Sequence, residues 1–179
     1  MKEEFRRVSI VGTSGSGKTT LARTLSRVMA LPHYELDALN WLPDWKARPS
    51  EEFKKLVHEK IEQEKWVIEG NYSKIREDIW NKATHVIWLN MPFRIVFFRV
   101  VVRIFRRWMK KEVLWNGNRE SFWKHFYTKD SMLYWVIKTH GKRKREYSTL
   151  FNAARFPHLK MIKLTGQEAI NEFIASLEG

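Results

Sequence analysis

Apolar runs of strand length alternate along this chain with longer segments whose apolar residues recur every three to four positions. That is the pattern of a parallel sheet covered by helices. Arg7 to Val11 predicts a first strand, a glycine-rich loop follows, and the spacing from about Thr19 to Ala30 predicts a helix stopped by Pro32. His33 to Leu36 predicts a short second strand, and Asp37 to Pro49 an irregular loop carrying Trp41, Pro43, Asp44 and Trp45. Ser50, followed by Glu51 and Glu52, predicts an N-cap opening a helix to about Glu64. Trp66 to Ile68 predicts a third strand ended by Glu69-Gly70-Asn71, then a short helix, then a fourth strand from Thr84 to Leu89. Pro92 suits the first turn of a long helix reaching about Lys111. Glu112 to Phe156 predicts two or three further helices, Leu159 to Leu164 the last strand, and Gln167 to Leu177 a closing helix. On the long helix Arg99, Arg103, Arg106 and Lys110 share one face, with Phe97, Val101, Ile104, Phe105 and Trp108 expected on the opposite one.

Composition narrows the picture. A length of 179 residues, 44% hydrophobic and 30% charged, fits one folded domain with a full core. Nine Trp and eleven Phe supply much of that core, and the absence of Cys excludes disulfides and thiolate metal sites. The charged N-terminus, Met1 to Arg7, does not read as a signal peptide. Ile95 to Val102 is broken by Arg99 and followed by Arg103, Arg106 and Arg107, so it lacks the run of about 20 apolar residues that a membrane span requires. The expectation is a soluble cytoplasmic protein, monomer or homodimer, with no membrane partner. The net charge of +13 calls for an anionic partner without choosing between nucleotides, phosphorylated metabolites and nucleic acid.

The chemistry is concentrated in Gly12-Thr13-Ser14-Gly15-Ser16-Gly17-Lys18-Thr19, a complete G-x-x-x-x-G-K-T phosphate-binding loop between a predicted strand and a predicted helix. Glycines there let backbone N–H groups face a phosphate, and the following helix adds the positive end of its dipole. Gly12, Ser14, Gly15, Ser16, Gly17, Lys18, Thr19 and Thr20 are therefore expected to hold ATP, with the Thr19 hydroxyl on Mg²⁺. Such enzymes need a carboxylate near the metal, and strand four ends in Asn90, which leaves Asp37 and Glu69 at the ends of strands two and three. Glu69 is expected to orient Mg²⁺ through water and Asp37 to engage an acceptor hydroxyl; each could instead cap a helix or pair with an arginine. Arg103, Arg106, Arg107, Arg119, Arg143 and Arg145 are candidates to close over a transferred phosphoryl group, with Asn116-Gly117-Asn118 as a hinge. The same cations, with the aromatics between them, also fit a nucleic-acid surface, the second reading. The six His residues show no metal-ligand spacing.

With these residues in place, the chain resembles the adenylate-kinase-like small P-loop kinases over nearly its whole length. More narrowly it resembles the bacterial proteins labelled DNA topology modulation proteins. The narrower likeness rests on Leu36 to Trp41, Ile68 to Tyr72, Leu114 to Ser121, and Lys138-Thr139-His140 with the basic cluster after it. The resemblance implies a three-layer αβα P-loop NTPase fold, its five-stranded parallel sheet carrying a helical lid of about residues 108–156 between strands 4 and 5. It also implies Arg103 against adenine, Arg107 near the phosphates, Gln167 bordering the base, and Glu69-Gly70 in place of an Asp-Gly pair. The acceptor region of adenylate kinase has no counterpart in Asp37 to Ser50. Trp41 and Trp45 there suit either an apolar, aromatic-faced acceptor or the anchoring of a loop.

Overall fold

The computed structural model describes residues 4–118, 132–153 and 155–178. Five strands form one parallel sheet: β1 (Arg7–Gly12), β2 (His33–Glu35), β3 (Trp66–Glu69), β4 (His85–Asn90) and β5 (Lys160–Thr165), in the order β2-β3-β1-β4-β5. The helices are α1 (Lys18–Met29), α2 (Leu36–Asn40), α3 (Ser50–Ile61), α4 (Arg76–Lys82), α5 (Phe93–Met109), α6 (Met132–Asn152) and α7 (Gly166–Glu178). Single tight turns occupy Pro43–Trp45 and Trp115–Gly117.

The strands are apolar at nearly every position because both faces of the sheet are covered. Val8, Ile10, Val67, Ile87 and Leu89 face one way, against Leu21, Ala22 and Leu25 of α1, Val96, Val100 and Ile104 of α5, and Ile170 and Leu177 of α7. Their neighbours Val11, Trp66, Ile68, Val86 and Trp88 face the other way, against Phe53, Val57 and Ile61 of α3 and Ile79 and Trp80 of α4. This is the expected three-layer arrangement. Helix α6 belongs to neither layer alone: Val136 enters the first core and Tyr147 the second, so the helix passes across the carboxyl edge of the sheet. No helix among the described residues is long and apolar enough to cross a membrane.

Several expectations are corrected. Leu36 leaves the second strand and opens a five-residue helix, so Asp37 stands on a helical turn rather than in an irregular loop. Pro49, not Ser50, occupies the cap position of α3. On α5 the buried stripe is Val96, Val100 and Ile104, while Phe105 and Trp108 are exposed. The further helices expected between Glu112 and Phe156 are described in part: α6 and the Trp115–Gly117 turn lie there, and residues 119–131 lie outside the described residues.

Candidate active site

The central strand β1 lies between β3 and β4 and ends at Gly12, so the loop that follows leaves the middle of the carboxyl edge, where open α/β sheets bind ligands. Gly17, in a left-handed backbone conformation (φ 100°), caps helix α1 without a side-chain hydrogen bond, which leaves the first-turn N–H groups free for an anion. Gly15 (φ +82°) tolerates no side chain, since a Cβ would come within 2.7 Å of Val100 Cγ2. The loop is therefore seated directly on α5. Thr20 is exposed on the outer side of α1.

Lys18 Nζ donates to the Thr13 carbonyl at 3.4 Å. Burial pulls its pKa down, and the charges of Glu69 and Asp37 pull it back up. Thr19 Oγ1 donates to Glu69 Oε1 at 2.5 Å, which joins the two residues expected at the metal. Glu69 is only 6% exposed, and burial pushes its carboxyl above the ordinary range against the opposing pull of Lys18 and Thr19. A hydroxyl and a buried carboxylate held together beside an uncapped helix start make a donor set suited to a hard divalent cation next to phosphate.

The Glu69-Gly70-Asn71-Tyr72 segment is explained residue by residue. Gly70 has φ +145°, and a Cβ there would meet Leu36 Cβ at 2.8 Å. Asn71 grips the end of β1, accepting from Gly12 N at 3.2 Å and donating to the Gly12 carbonyl at 2.6 Å, while Tyr147 of α6 donates to its Oδ1 at 2.9 Å. Tyr72 donates its hydroxyl to Asp37 Oδ1 at 2.6 Å, and burial beside that carboxylate pushes the phenol pKa well up.

Two segments distant in sequence close the Asp37 side. Asn116 Nδ2 donates to the Trp41 carbonyl at 2.5 Å, Asn118 Nδ2 to the Leu42 carbonyl at 2.9 Å, and Trp45 N donates to Asn118 Oδ1 at 2.9 Å. Half-buried Trp41, Trp45 and Trp115 meet edge to face, with centroids 5.9 and 6.4 Å apart. The three indoles thus line a shared corner, and Trp115 Nε1 donates to Glu35 Oε2 at 2.8 Å.

The arginines divide. Arg103 Nη2 donates to Ser14 Oγ at 3.0 Å, on the phosphate loop, and Arg99 Nη2 donates to Gln167 Oε1 at 2.6 Å, joining α5 to the turn after β5. Arg107 pairs with Glu112 at 3.7 Å. Arg143 lies half-buried on α6, close enough to influence both Lys18 and Asp37, and burial pulls its pKa below the ordinary guanidinium value. Arg106 and Arg145 are exposed. Arg119 lies outside the described residues.

Sequence reasoning assigned no site role to three participants. Glu35 pairs in register with Glu69 and sits two residues before Asp37, a spacing visible in the sequence. His140 Nδ1 lies 3.4 Å from Thr13 Oγ1, and Met132 Sδ accepts from Ser14 Oγ at 3.3 Å. Both bring α6 onto the phosphate loop, and only tertiary packing reveals them.

By sequence the chain matches no family model and no characterised protein. By structure it matches shikimate kinase from Bacteroides thetaiotaomicron at 19% identity and a TM-score of 0.56, covering 97% of this chain and 96% of that one. A gluconokinase from Sinorhizobium meliloti matches at 13% identity and 0.53, covering 97% and 91%. Shikimate kinase from Acinetobacter baumannii, in complex with shikimate, matches at 14% and 0.55, covering 99% and 94%. The chain has the fold of the small P-loop kinases.

Proposed function

We propose that this protein transfers the γ-phosphoryl group of ATP to a hydroxyl of a small-molecule acceptor. The observation that carries this reading is the convergence of Lys18, Asp37, Glu69 and Arg143 beside the uncapped start of α1. In-line phosphoryl transfer needs positioning and cationic stabilisation more than covalent chemistry. The loop N–H groups and Lys18 would hold the phosphates, with Arg103 tied to Ser14 beside them. Thr19 and Glu69 would hold Mg²⁺, which when bound neutralises charge on the β- and γ-oxygens. Asp37 already accepts a hydroxyl hydrogen bond from Tyr72, and the same carboxylate would accept one from the acceptor and orient its oxygen. Arg143 is placed to neutralise an anionic group on the acceptor or the moving phosphoryl.

The kinases that the chain resembles in fold are named for small molecules, which favours an acceptor of that class. The narrower resemblance to DNA topology modulation proteins gains meaning here. The described parts of three of its motifs, Leu36 to Trp41, Ile68 to Tyr72 and Leu114 to Asn118, meet at the Asp37 corner through Tyr72–Asp37, Asn116–Trp41 and Asn118–Leu42, which supports their being the acceptor site of that group, while His140 of the fourth lies at the phosphate loop. Arg99 and Arg103 turn toward Gln167 and Ser14 instead of outward, which favours nucleotide over nucleic acid. Lys142, Lys144 and Arg145 remain exposed and sustain the second reading, a nucleotide-dependent nucleic-acid binder or slow NTPase.

Calorimetric titration with ATP and Mg²⁺, followed by ADP release against pools of nucleosides, nucleotides and hydroxylated metabolites, tests both. Lys18→Ala is expected to weaken ATP at least about tenfold. Asp37→Asn should leave ATP affinity intact while slowing acceptor-stimulated ADP release about 100-fold. ADP release stimulated by DNA or RNA and by no small-molecule pool would instead establish the second reading.

A further inference from the structure

Beside the phosphate loop, the ligand atoms of His33, Glu35 and Glu69 all lie within 4.8 Å of one another. His33 and Glu35 share one face of β2, and Glu35 stands in register with Glu69 on β3, so the triad is built on paired strands rather than on a loop. Donors about 2.1 Å from a shared ion lie at most about 4.2 Å apart, so a closure of roughly half an ångström completes the set.

Three independent features call for a cation there. Two carboxylates face each other at the sheet edge, one of them buried, and like charges so placed repel. Lys18 offsets the charge of Glu69, and on the kinase reading phosphate would draw on the same Lys18. His33 Nε2 is buried without a hydrogen-bond partner, an unmet polar group of the kind that metal coordination satisfies. The carboxylates are also already oriented from behind: Arg23 Nη2 donates to Glu35 Oε1 at 3.2 Å, Trp115 to its Oε2, and Thr19 to Glu69.

We propose that His33, Glu35 and Glu69 form a site for a divalent transition ion such as Mn²⁺ or Co²⁺, which the nucleotide-free protein already binds. An imidazole nitrogen among two carboxylates favours such ions over Mg²⁺, which prefers oxygen and retains its waters. The inference shares Glu69 with the kinase reading, but ion binding by the nucleotide-free protein does not depend on phosphoryl transfer.

The test is titration of the nucleotide-free, metal-stripped full chain with Mn²⁺ and separately with Mg²⁺, by calorimetry. Pulsed electron resonance of the Mn²⁺ sample, with ¹⁵N-labelled histidine, would detect a coordinated imidazole. One Mn²⁺ per chain is expected, at least about tenfold tighter than Mg²⁺. His33→Ala and the more conservative His33→Gln should each lose tenfold or more in Mn²⁺ affinity, remove the nitrogen coupling and leave Mg²⁺ affinity within twofold. Circular dichroism and ATP affinity would confirm that the variants fold. The proposal is overturned if wild type binds Mn²⁺ no tighter than Mg²⁺. Unchanged Mn²⁺ binding in both His33 variants, with loss only in Glu69→Gln, overturns it equally. Failure of the kinase reading shows separately, as ATP affinity indifferent to Lys18→Ala.

Discussion

Glu69 is buried in the folded chain and water-exposed in the unfolded one, and burial dominates its surroundings. Its folded pKa is raised above the ordinary 4.5, so folded protein holds the proton more tightly. Stability contributed by this group is therefore full below pH 4.5 and is lost as pH rises toward the folded value. Glu69→Gln, measured at neutral pH with chelator and without nucleotide, should raise Tm by about 2–4 °C while abolishing turnover. A lower Tm in that variant would show that Lys18 and Thr19 outweigh the burial. The glycine loop was legible in the sequence because its chemistry lies in eight consecutive residues. Asp37 and Glu69 were legible as acids at strand ends. Glu35, Tyr72 and Asn71 were not assigned their roles, since the partners that place them at the site, Trp115, Asp37 and Gly12, lie 35 to 80 positions away.

Helix α5 shows where periodicity stops deciding. It is apolar on two sides: Val96, Val100 and Ile104 are buried, while Phe98, at 68% exposed, Phe105 and Met109 form a second apolar stripe facing outward. Hydrophobicity cannot say which stripe meets the sheet. Shape does, because Val96 and Val100 fit beside the side-chain-free backbone of Gly15 and an aromatic ring would not. Val100→Ala should therefore cost about 2 kcal/mol, or about 4–8 °C in Tm, whereas Phe98→Ser should shift Tm by no more than about 2 °C. Equal losses in thermal melts would mean that the outward stripe is covered in solution. Met132–Asn152 was legible as helical, but its course was not, because α6 takes its anchors Val136 and Tyr147 from opposite sides of the sheet.

At the scale of the molecule, a net charge of +13 weighs against every further proton taken up on folding. His85, stacked on Phe5 at 3.9 Å, and His140, beside Thr13, are both held below their ordinary 6.5 by burial and by a neighbouring lysine. The unfolded chain binds more protons than the folded one in that range. Their contribution to stability is thus complete above pH 6.5 and falls away as pH drops toward the folded values. Melting curves from pH 8 to pH 5 should show this decline, and His85→Phe should flatten it while keeping the stack; an unchanged slope would assign the decline elsewhere.

The path of α6 has a mechanical consequence. A helix seated in one core near Val136 and in the other near Tyr147 is a beam resting on two supports, with His140 over the phosphate loop between them. Such a beam flexes at mid-span but cannot be carried off as a rigid arm without unseating a support. The contact it makes with Thr13 is thereby coupled to the integrity of both halves of the domain.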